Sequence, residues 1–434
     1  MDPNPQSALP LPPRPSRERY HKLAKELVRA CSSTQPQAVE DWAKRWLRSL
    51  SLLPSPGLVG ASDLADFARR VVRSEPPGQR AGLLSKAQFV VARTHGFDSW
   101  PKFVRHLEAL SGGPSFEARF EAGAEAIIRG DLQSLRRLLT EDPTLVRARS
   151  SRQHGAALLH YVAANGVETY RQKTPANIVE VTELLLDAGA EVDATAAVYG
   201  GHLTTLELAA TSQPPESAGV QEALLSTLLG RGASLDRASS RSRRTLVDAC
   251  LANGRRRAAE FLSHRGARLD LSAAAGLGRL EVVRSLLDAE SAAPRSEDLA
   301  RAVFFAAGYG HPEVLSLLLD RGFDLATQDG AGQTAVHHAV IGGQLTTLGL
   351  LLSRNPPLEL RNVYGGTVVG QALWSAAHGL DASTSIAALD LLIRAGAQLP
   401  ARHVPVGPEV DAWLAAHGCP ADPSGWWVGE EPES

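Results

Sequence analysis

The sequence has few of the residues that would build a covalent or metal-bound centre. Its 434 residues include three cysteines, Cys31, Cys250 and Cys419, which are far apart in the chain. So few cysteines argue against a disulfide-rich secreted scaffold, and we expect free thiols in a reducing cytoplasm. The thirteen histidines and three cysteines form no His-x3-His or Cys-x2-Cys pair. The sequence therefore offers no zinc-binding pattern.

Long apolar runs and a strong net charge are also missing. The longest apolar run falls far short of the roughly 18 residues that suggest a membrane span. The polar, Pro-rich start has no basic-then-apolar segment, so we expect no secretory signal. The formal net charge is −2, and 44% of the residues are hydrophobic. These values suit a soluble folded protein, which we expect to be cytoplasmic. The richness in Ala, Arg, Leu and Gly, with a single Met and few Lys, suggests a GC-rich bacterial source.

Sequence patterns of common enzymes are absent as well. The chain has no Gly-x-Ser-x-Gly elbow and no phosphate-binding Gly-x4-Gly-Lys-Ser/Thr loop. His337 and His338 are neighbours on a predicted helix and cannot point at one metal. We therefore predict no catalytic residue, no cofactor and no metal site, and expect a protein that is not an enzyme.

What the sequence does contain is a repeated unit, clearest between Asp329 and Asn362. Glycines precede Thr334, and glycine supplies the positive φ angles of tight turns. Thr334 is a suitable N-cap for a short helix, which the glycines 342–343 would end. A leucine-rich second helix follows. Because this unit of about 33 residues cannot bury two apolar helix faces alone, it must stack on copies of itself.

Seven further copies share the register of this unit. The positions equivalent to Thr334 are separated by 36, 47, 41, 24, 32, 33 and 33 residues, and they are Glu121, Ala157, Thr204, Thr245, Leu269, Arg301, Thr334 and Thr367. A small residue stands five positions after each of them, in the order Ala126, Val162, Ala209, Cys250, Ala274, Ala306, Ala339 and Ala372. Such a column predicts closely packed neighbouring helices.

The repeated units resemble those of the ankyrin repeat family. The family's Thr-Pro-Leu-His-x-Ala core appears as Thr-Ala-Val-His-His-Ala at 334–339, and its Gly-Ala-Asp/Glu-Val-Asp ending appears at 189–193. The resemblance extends over about 116–418, although the expected proline is missing from every unit and the unit at Leu269 is nine residues short. It implies an all-α ankyrin-repeat solenoid of about eight helix-turn-helix units. Its implied function is that of a non-enzymatic protein–protein interaction scaffold.

Composition divides the chain into five parts. We predict a disordered Pro-rich tail at 1–15, a helical head or cap at 16–112 and the repeat array at 113–400. A C-terminal capping helix at 401–420 and an acidic tail at 421–434 follow. In the head, the sequence Gly-Phe-Asp-Ser-Trp at 96–100 is similar to a helical head found in some bacterial ankyrin proteins. That head would cover the apolar face of the first repeat or form a separate binding module.

The head also supplies the alternative function. Residues 1–110 hold 17 Lys and Arg against 10 Asp and Glu, whereas the remainder holds 28 against 37. A basic head can bind nucleic acid or another anion, and the chain would then act as a regulator. Its basic residues alternate with acidic ones and form no dense run, so we do not expect nucleic acid to be the main partner.

The resemblance also predicts a partner-binding surface. In ankyrin repeats the finger turns and the faces of the first helices recognise a protein partner. We expect this chain to be a monomer that binds a protein of unknown identity and no membrane. The positions that match are Arg152, Gln153, His154, Tyr199, His202, Arg241, Arg243, Gln328, Asp329, Gln333, Asn362 and Tyr364.

Overall fold

The computed structural model describes residues 7–12, 15–50, 60–73, 82–112, 115–235, 244–289 and 295–422. Among these residues the chain is an all-α repeat solenoid with one short hairpin, as the sequence predicts. It divides into two compact units. Unit 1 comprises Met1–Leu246 with Asn253–Leu262, and unit 2 comprises Val247–Ala252 with Ser263–Ser434.

Unit 1 begins with the helical head. Its five helices are α1 (Arg17–Cys31), α2 (Ala38–Leu50), α3 (Ala61–Arg73), α4 (Leu83–Thr94) and α5 (Trp100–Ser111). Ser16 and Ser99 accept hydrogen bonds from the first turns of α1 and α5, as expected of N-cap residues. Val39, Trp42 and Trp46 on α2 are buried. One core, rich in aromatic side chains, joins all five helices.

Part of the tail that we expected to be disordered is packed against this head. Ala8 and Leu9 are 2% and 0% exposed. The Leu9 N–H donates to the Thr94 carbonyl at 2.8 Å, and the Leu9 carbonyl lies 2.9 Å from His95 Nδ1. Leu9 stands among these prolines, and its burial offsets the conformational entropy that is lost when the segment becomes ordered. The prediction of disorder is therefore wrong for residues 7–12.

The repeats of unit 1 follow the head. Their elements are α6 (Phe116–Arg129), α7 (Leu132–Glu141), α8 (Ile178–Asp187), α9 (Thr205–Ala210), α10 (Gln213–Ser217) and α11 (Gln221–Gly230). Short 3₁₀ segments cover 143–147, 158–163 and 169–171. The second repeat thus has a 3₁₀ first helix where the register predicts an α-helix. The fourth repeat is divided between the units: α12 (Leu246–Ala252) belongs to unit 2 except for Leu246, and α13 (Arg256–His264) belongs to unit 1 except for its last two residues.

The hairpin was not predicted. Strands β1 (Thr195–Val198) and β2 (Gly201–Thr204) pair antiparallel, with Thr195 opposite Thr204. The two residues between them, Tyr199 and Gly200, have φ angles of 52° and 74°. Positive φ at both positions of a two-residue loop is the geometry of a type I′ turn. The finger of this repeat is therefore longer than a simple turn.

Unit 2 contains the most regular repeats. Its helices are α14 (Leu271–Gly276), α15 (Leu280–Ala289), α16 (Ser296–Tyr309), α17 (Pro312–Leu319), α18 (Ala335–Ile341), α19 (Leu345–Leu352), α20 (Val368–Ala377), α21 (Ala382–Arg394) and α22 (Pro408–Ala416). Thr334 and Thr367 are the N-caps of α18 and α20. Helix α22 buries Val410 and Leu414 in the core of unit 2, as expected of a closing helix.

The predicted column of small residues is confirmed in both units. All eight positions, from Ala126 to Ala372, are between 0% and 5% exposed. Glycines also stand at the ends of the second helices. Those at 189, 232, 266, 322 and 396 all have φ between 84° and 97°. Small buried residues allow close helix packing, and left-handed glycines end the second helices.

Candidate partner-binding surface

Two consecutive finger turns in unit 2 have the same construction. Asp329 Oδ1 accepts from the N–H groups of Ala331 and Gln333 at 2.8 and 2.9 Å. Thirty-three residues later, Asn362 Oδ1 accepts from the N–H groups of Tyr364 and Gly366 at 3.0 and 2.9 Å. Side-chain carbonyl oxygens of Asp and Asn often shape turns in this way. Each finger turn therefore has a backbone held by its own side chain.

The two finger turns are also bonded to each other. The Val363 N–H donates to the Ala331 carbonyl at 2.9 Å. Gln328 Nε2 donates to the carbonyls of Gly332 and Arg361 at 2.6 and 3.0 Å. Of the five predicted residues in these two turns, Asp329 and Gln333 are half-buried, Asn362 is buried, and Gln328 and Tyr364 are exposed. The side chains of Gln328, Asp329 and Asn362 hold the backbone of the finger turns through hydrogen bonds.

A histidine attaches the first finger turn to the helix behind it. His338 on α18 lies with Nε2 2.9 Å from Asp329 Oδ2, and its ring stacks on Phe304 with centroids 4.9 Å apart. Although burial disfavours ionisation of Asp329, hydrogen bonds from His338 and the Gln333 N–H lower the pKa of its carboxyl group. The ionised carboxylate is a stronger acceptor for the turn N–H groups.

The side chains that this frame presents are apolar. Val363 and Tyr364, at the tip of the second finger turn, are 64% and 66% exposed. On the first helices, Ile341 and Trp374 are 39% and 45% exposed, and each lies seven residues after its N-cap threonine. We call Ile341, Val363, Tyr364 and Trp374 the finger–helix surface. Of the four, only Tyr364 was predicted from the sequence.

The ring of Trp374 is supported on one side. It stacks on His378, four residues later, with centroids 4.0 Å apart and an interplanar angle of 14°. His378 Nδ1 in turn lies 2.7 Å from the Trp374 carbonyl oxygen. This contact restricts the rotamers of both side chains. A tryptophan that is already ordered loses little conformational entropy when it binds a partner.

The predicted finger residues of the second repeat lie inside unit 1. Arg152 and His154 are 3% and 1% exposed, and Gln153 is half-buried beside Arg93, which donates to it. Arg152 also donates to the His95 carbonyl at 2.9 Å. The expectation of an exposed surface is wrong for both residues. Arg152 bonds to the head, and His154 packs inside the repeats, where its Nε2 lies 3.4 Å from Glu168 Oε1 and its ring contacts Tyr161.

The charges of this region balance within the protein. Arg152 Nε is 2.5 Å from Glu168 Oε1, and Arg171 Nη2 is 2.6 Å from Glu121 Oε2. Burial would raise the pKa of Glu121, but Arg171 and Arg152 outweigh it and lower the pKa to about 2. Two arginines and two glutamates thus form a buried ionic cluster that joins the head to the first repeats.

The other predicted positions of unit 1 lie on or beyond the hairpin. Tyr199 is 58% exposed at the hairpin tip, where its hydroxyl donates to Asn165 Oδ1. His202 on β2 is also exposed. Arg241 and Arg243 lie outside the described residues. Tyr199 and His202 therefore remain candidates for contact with a partner.

Basic residues of the head are partly neutralised by their neighbours. Exposed ion pairs join Arg17 to Glu108 at 3.0 Å, Lys44 to Glu40 at 2.6 Å and Lys102 to Asp98 at 2.8 Å. Such pairs contribute little to stability, but they reduce the positive potential of the surface. They weigh against a broad nucleic-acid interface.

One arrangement in unit 2 resembles a nucleophilic site. Cys419 Sγ is 3.6 Å from His403 Nδ1, and His403 Nε2 is 2.9 Å from Asp411 Oδ1. A thiol, an imidazole and a carboxylate in this order occur in cysteine nucleophiles. Here, however, Cys419 is 0% exposed and burial raises the pKa of its thiol. A buried, protonated thiol is inert, so the three residues hold the C-terminal segment against α22.

In the described part of the chain, no group of three or more His, Cys, Asp or Glu side chains is arranged to hold a metal ion. Nor is any helix in that part both long and apolar enough to cross a bilayer.

Comparison with known proteins identifies the repeats. Residues 271–362 match the family model described as ankyrin repeats, in three copies. A search of curated proteins found no match. Residues 271–362 thus contain ankyrin repeats, which are generally protein–protein interaction modules. The matched residues include the first finger turn and Ile341, and they end at Asn362. A bacterial origin stays a prediction.

Proposed function

We propose that this protein is a non-enzymatic scaffold that binds a protein partner through the finger–helix surface. The observation that carries this proposal is the exposure of Val363 and Tyr364, by about two-thirds, on a turn held by Asn362. Large apolar side chains that stay in water on a rigid frame are typical of interaction sites. Aromatic residues, Tyr and Trp above all, often dominate the binding energy of such interfaces.

The surroundings of these residues favour a protein over a small ligand. The finger–helix surface belongs to two successive repeats, whose first helices α18 and α20 pack together. The exposed Gln328 and Arg361 flank the finger tip with polar groups. An apolar centre with a polar rim is the usual anatomy of a protein interface. We further propose a monomeric chain that works in a reducing compartment such as the cytoplasm, supported by the small number and wide separation of its cysteines.

The proposal can be tested with matched valine substitutions. Val363→Ser changes the finger–helix surface, whereas Val282→Ser changes a valine on α15 that is 37% exposed and lies outside that surface. Tagged full-length protein and both variants would be used for affinity capture from cells of the native host, with quantitative mass spectrometry. We expect one protein to be retained by the wild type and by Val282→Ser, and to be lost with Val363→Ser.

The same capture with Trp374→Ser provides a second substitution on an adjacent helix. Direct binding of the purified partner would then give dissociation constants, and each substitution should weaken binding at least about tenfold, which is 1.4 kcal/mol. A partner that binds Val363→Ser and Trp374→Ser as tightly as the wild type would exclude this surface. Circular dichroism of each variant shows that the fold is intact.

A further inference from the structure

The last repeat of unit 2 has a third finger turn, which contains His403. Asn362, in the second finger turn, stands seven residues after Asn355, whose φ is 52°. His403 likewise stands seven residues after Gly396, whose φ is 97°. The two positions are therefore equivalent, and α22 is the first helix that follows the third finger turn.

The last described residues run beside this third finger turn. The His403 N–H donates to the Pro420 carbonyl at 3.2 Å, and the Asp422 N–H donates to the His403 carbonyl at 2.7 Å. The segment of the third finger turn is also bonded to that of the second, because the Gln398 N–H donates to Glu359 Oε1 at 3.0 Å. The chain therefore passes Asp422 next to the finger turns of unit 2.

The residues that follow are long enough to reach the finger–helix surface. We call residues 423–434, which lie beyond the described part of the chain, the tail segment. An extended chain spans roughly 3.3–3.6 Å per residue, so the six residues from Pro423 to Val428 can cover roughly 20 Å. Asp422 is bonded to the third finger turn, and the second is one repeat further away. Because packed helices of neighbouring repeats lie roughly 8–10 Å apart, that distance is within reach.

The tail segment combines apolar residues with carboxylates. Trp426, Trp427 and Val428 follow a Pro-Ser-Gly spacer, and glutamates stand at positions 430, 431 and 433. An aromatic side chain carries roughly 150–250 Å² of surface that burial removes from water. Two adjacent tryptophans left in water would form an apolar patch of the kind that marks an interaction site. An apolar surface with positive charge beside it would match this sequence.

The finger–helix surface has both features. Its four residues are 39% to 66% exposed, and the helices that carry two of them, α18 and α20, contain no Asp or Glu. Arg361, beside the second finger turn, is exposed and donates to the Gly365 carbonyl at 2.7 Å. Within the described residues it forms no ion pair. The carboxylates of Asp329 and Glu359 in the finger segments accept hydrogen bonds from other groups of unit 2.

We propose that the tail segment folds back onto the finger–helix surface of its own chain and competes there with the protein partner. Trp426 and Trp427 pack on the exposed apolar residues, and the glutamates lie beside Arg361. A segment tethered by a short linker acts at an effective concentration of the order of millimolar, so a weak contact is enough to cover the surface. This regulation rests on the proposed function, but the contact itself requires no partner.

The contact is tested on full-length protein with a fluorescein-labelled peptide of residues 423–434. In the tail variant, Trp426→Ser with Trp427→Ser, the tail segment has lost its aromatic residues and the surface is open. We expect the peptide to bind the tail variant in fluorescence anisotropy. Wild-type protein should bind it at least about tenfold more weakly, because its own tail segment occupies the surface. A peptide with the same two serines should bind neither protein.

Further substitutions in the tail variant locate the contact. Val363→Ser should weaken peptide binding at least about tenfold, whereas Val282→Ser, the matched change on α15, should alter it less than about twofold. Trp374→Ser is a second loss variant if Val363→Ser alters the circular dichroism spectrum. Arg361→Gln should weaken the native peptide more than a peptide whose three glutamates are replaced by glutamine.

Four results would overturn the inference. They are the absence of peptide binding to the tail variant, equal binding to the wild type and the tail variant, equal losses with Val363→Ser and Val282→Ser, and equal losses of both peptides with Arg361→Gln. Wild-type dimers in analytical ultracentrifugation that dissociate in the tail variant would place the tail segment on a second copy, which also contradicts a contact within one chain.

Failure of this inference can be distinguished from failure of the proposed function. A partner whose capture requires Val363, without any binding of the peptide, would leave the scaffold function standing and remove only the role of the tail segment. Peptide binding that requires Val363, without any captured partner, would establish the contact and count against the scaffold function. If both hold, the tail variant should capture more partner than the wild type.

Discussion

Gly342 lies directly against the backbone of Gly308 in the preceding repeat. A Cβ atom on Gly342 would be 2.0 Å from the Gly308 carbonyl oxygen and 2.9 Å from its carbonyl carbon. Both contacts are with backbone atoms, which cannot rotate away as a side chain could. The glycine that ends α18 is thus required by the neighbouring repeat, in addition to its role as a helix stop.

We therefore expect Gly342→Ala to destabilise unit 2. Forcing extra volume into a packed contact typically costs about 1–3 kcal/mol, and the rigid backbone contact places this substitution at the upper end. Gly349→Ala is the control, because a Cβ there would meet nothing within 4 Å in the middle of α19. That substitution should stabilise the protein by about 0.5–1 kcal/mol. Urea unfolding followed by circular dichroism distinguishes the two, and equal effects would contradict the contact.

A buried ion pair gives a second prediction in unit 2. Arg301 Nε and Nη2 lie 2.6 and 2.8 Å from the two carboxylate oxygens of Asp248, which is 0% exposed. Ser272 donates to the same carboxylate at 2.7 Å. Removing one partner of a buried pair commonly costs about 3–5 kcal/mol because the other charge is left uncompensated.

Arg301→Ala leaves the 0% exposed Asp248 carboxylate uncompensated and should therefore lower the free energy of unfolding by about that amount. Asp248→Ala should cost less, because the Arg301 side chain is 23% exposed, and the double variant should be less destabilised than the sum of the two single variants. A double-mutant cycle measured by urea unfolding gives the coupling energy. Additive effects would show that the pair contributes nothing beyond its separate contacts.

Acid should weaken unit 1 through its buried histidines. Burial lowers the pKa of His95 to about 3 and those of His106 and His160 to about 4. In the unfolded chain these groups titrate near pH 6.5. The unfolded state therefore binds more protons below that pH, and stability falls as the pH drops from about 6.5 towards 4.

Each of these histidines should cost about 2 kcal/mol of stability between pH 7 and pH 5. The free energy of unfolding of the wild type and of His95→Asn, measured at both pH values, checks the sign and the size. Asparagine can still donate to the Leu9 carbonyl but does not titrate, so the variant should lose less stability on acidification. An unchanged pH dependence would mean that His95 is solvated in the native protein.

Leu9 should contribute to the stability of the head. It is 0% exposed, although it lies in a Pro-rich segment. Leu9→Ala should cost about 2–4 kcal/mol, the usual range for removing a buried leucine side chain. Leu11 is only partly buried against the same core, so Leu11→Ala should cost less. Thermal unfolding of both variants measures the difference, and equal melting temperatures would contradict the packing of Leu9.

The sequence by itself determined the repeats, their register and their ends. Thr334 and Thr367 are N-caps, the residues in the column from Ala126 to Ala372 are buried, and Gly342 ends α18. These features follow from local preferences and from a period of about 33 residues. Local preferences depend on neighbouring residues, and the period depends on repetition along the chain. Both can be recognised in the sequence without knowing which distant segments are in contact.

The tertiary structure decided which residues remain at the surface. Arg152 and His154 occupy finger positions, yet both are buried inside unit 1, and Leu9 is buried in a stretch that reads as disordered. Conversely, Ile341 and Trp374 read as ordinary apolar helix residues but stay exposed. Burial depends on segments far apart in the chain, such as His95 beside Leu9. A local pattern carries no information about those contacts. The sequence could therefore place the candidate site on the finger turns, but it could not show which of their residues are exposed.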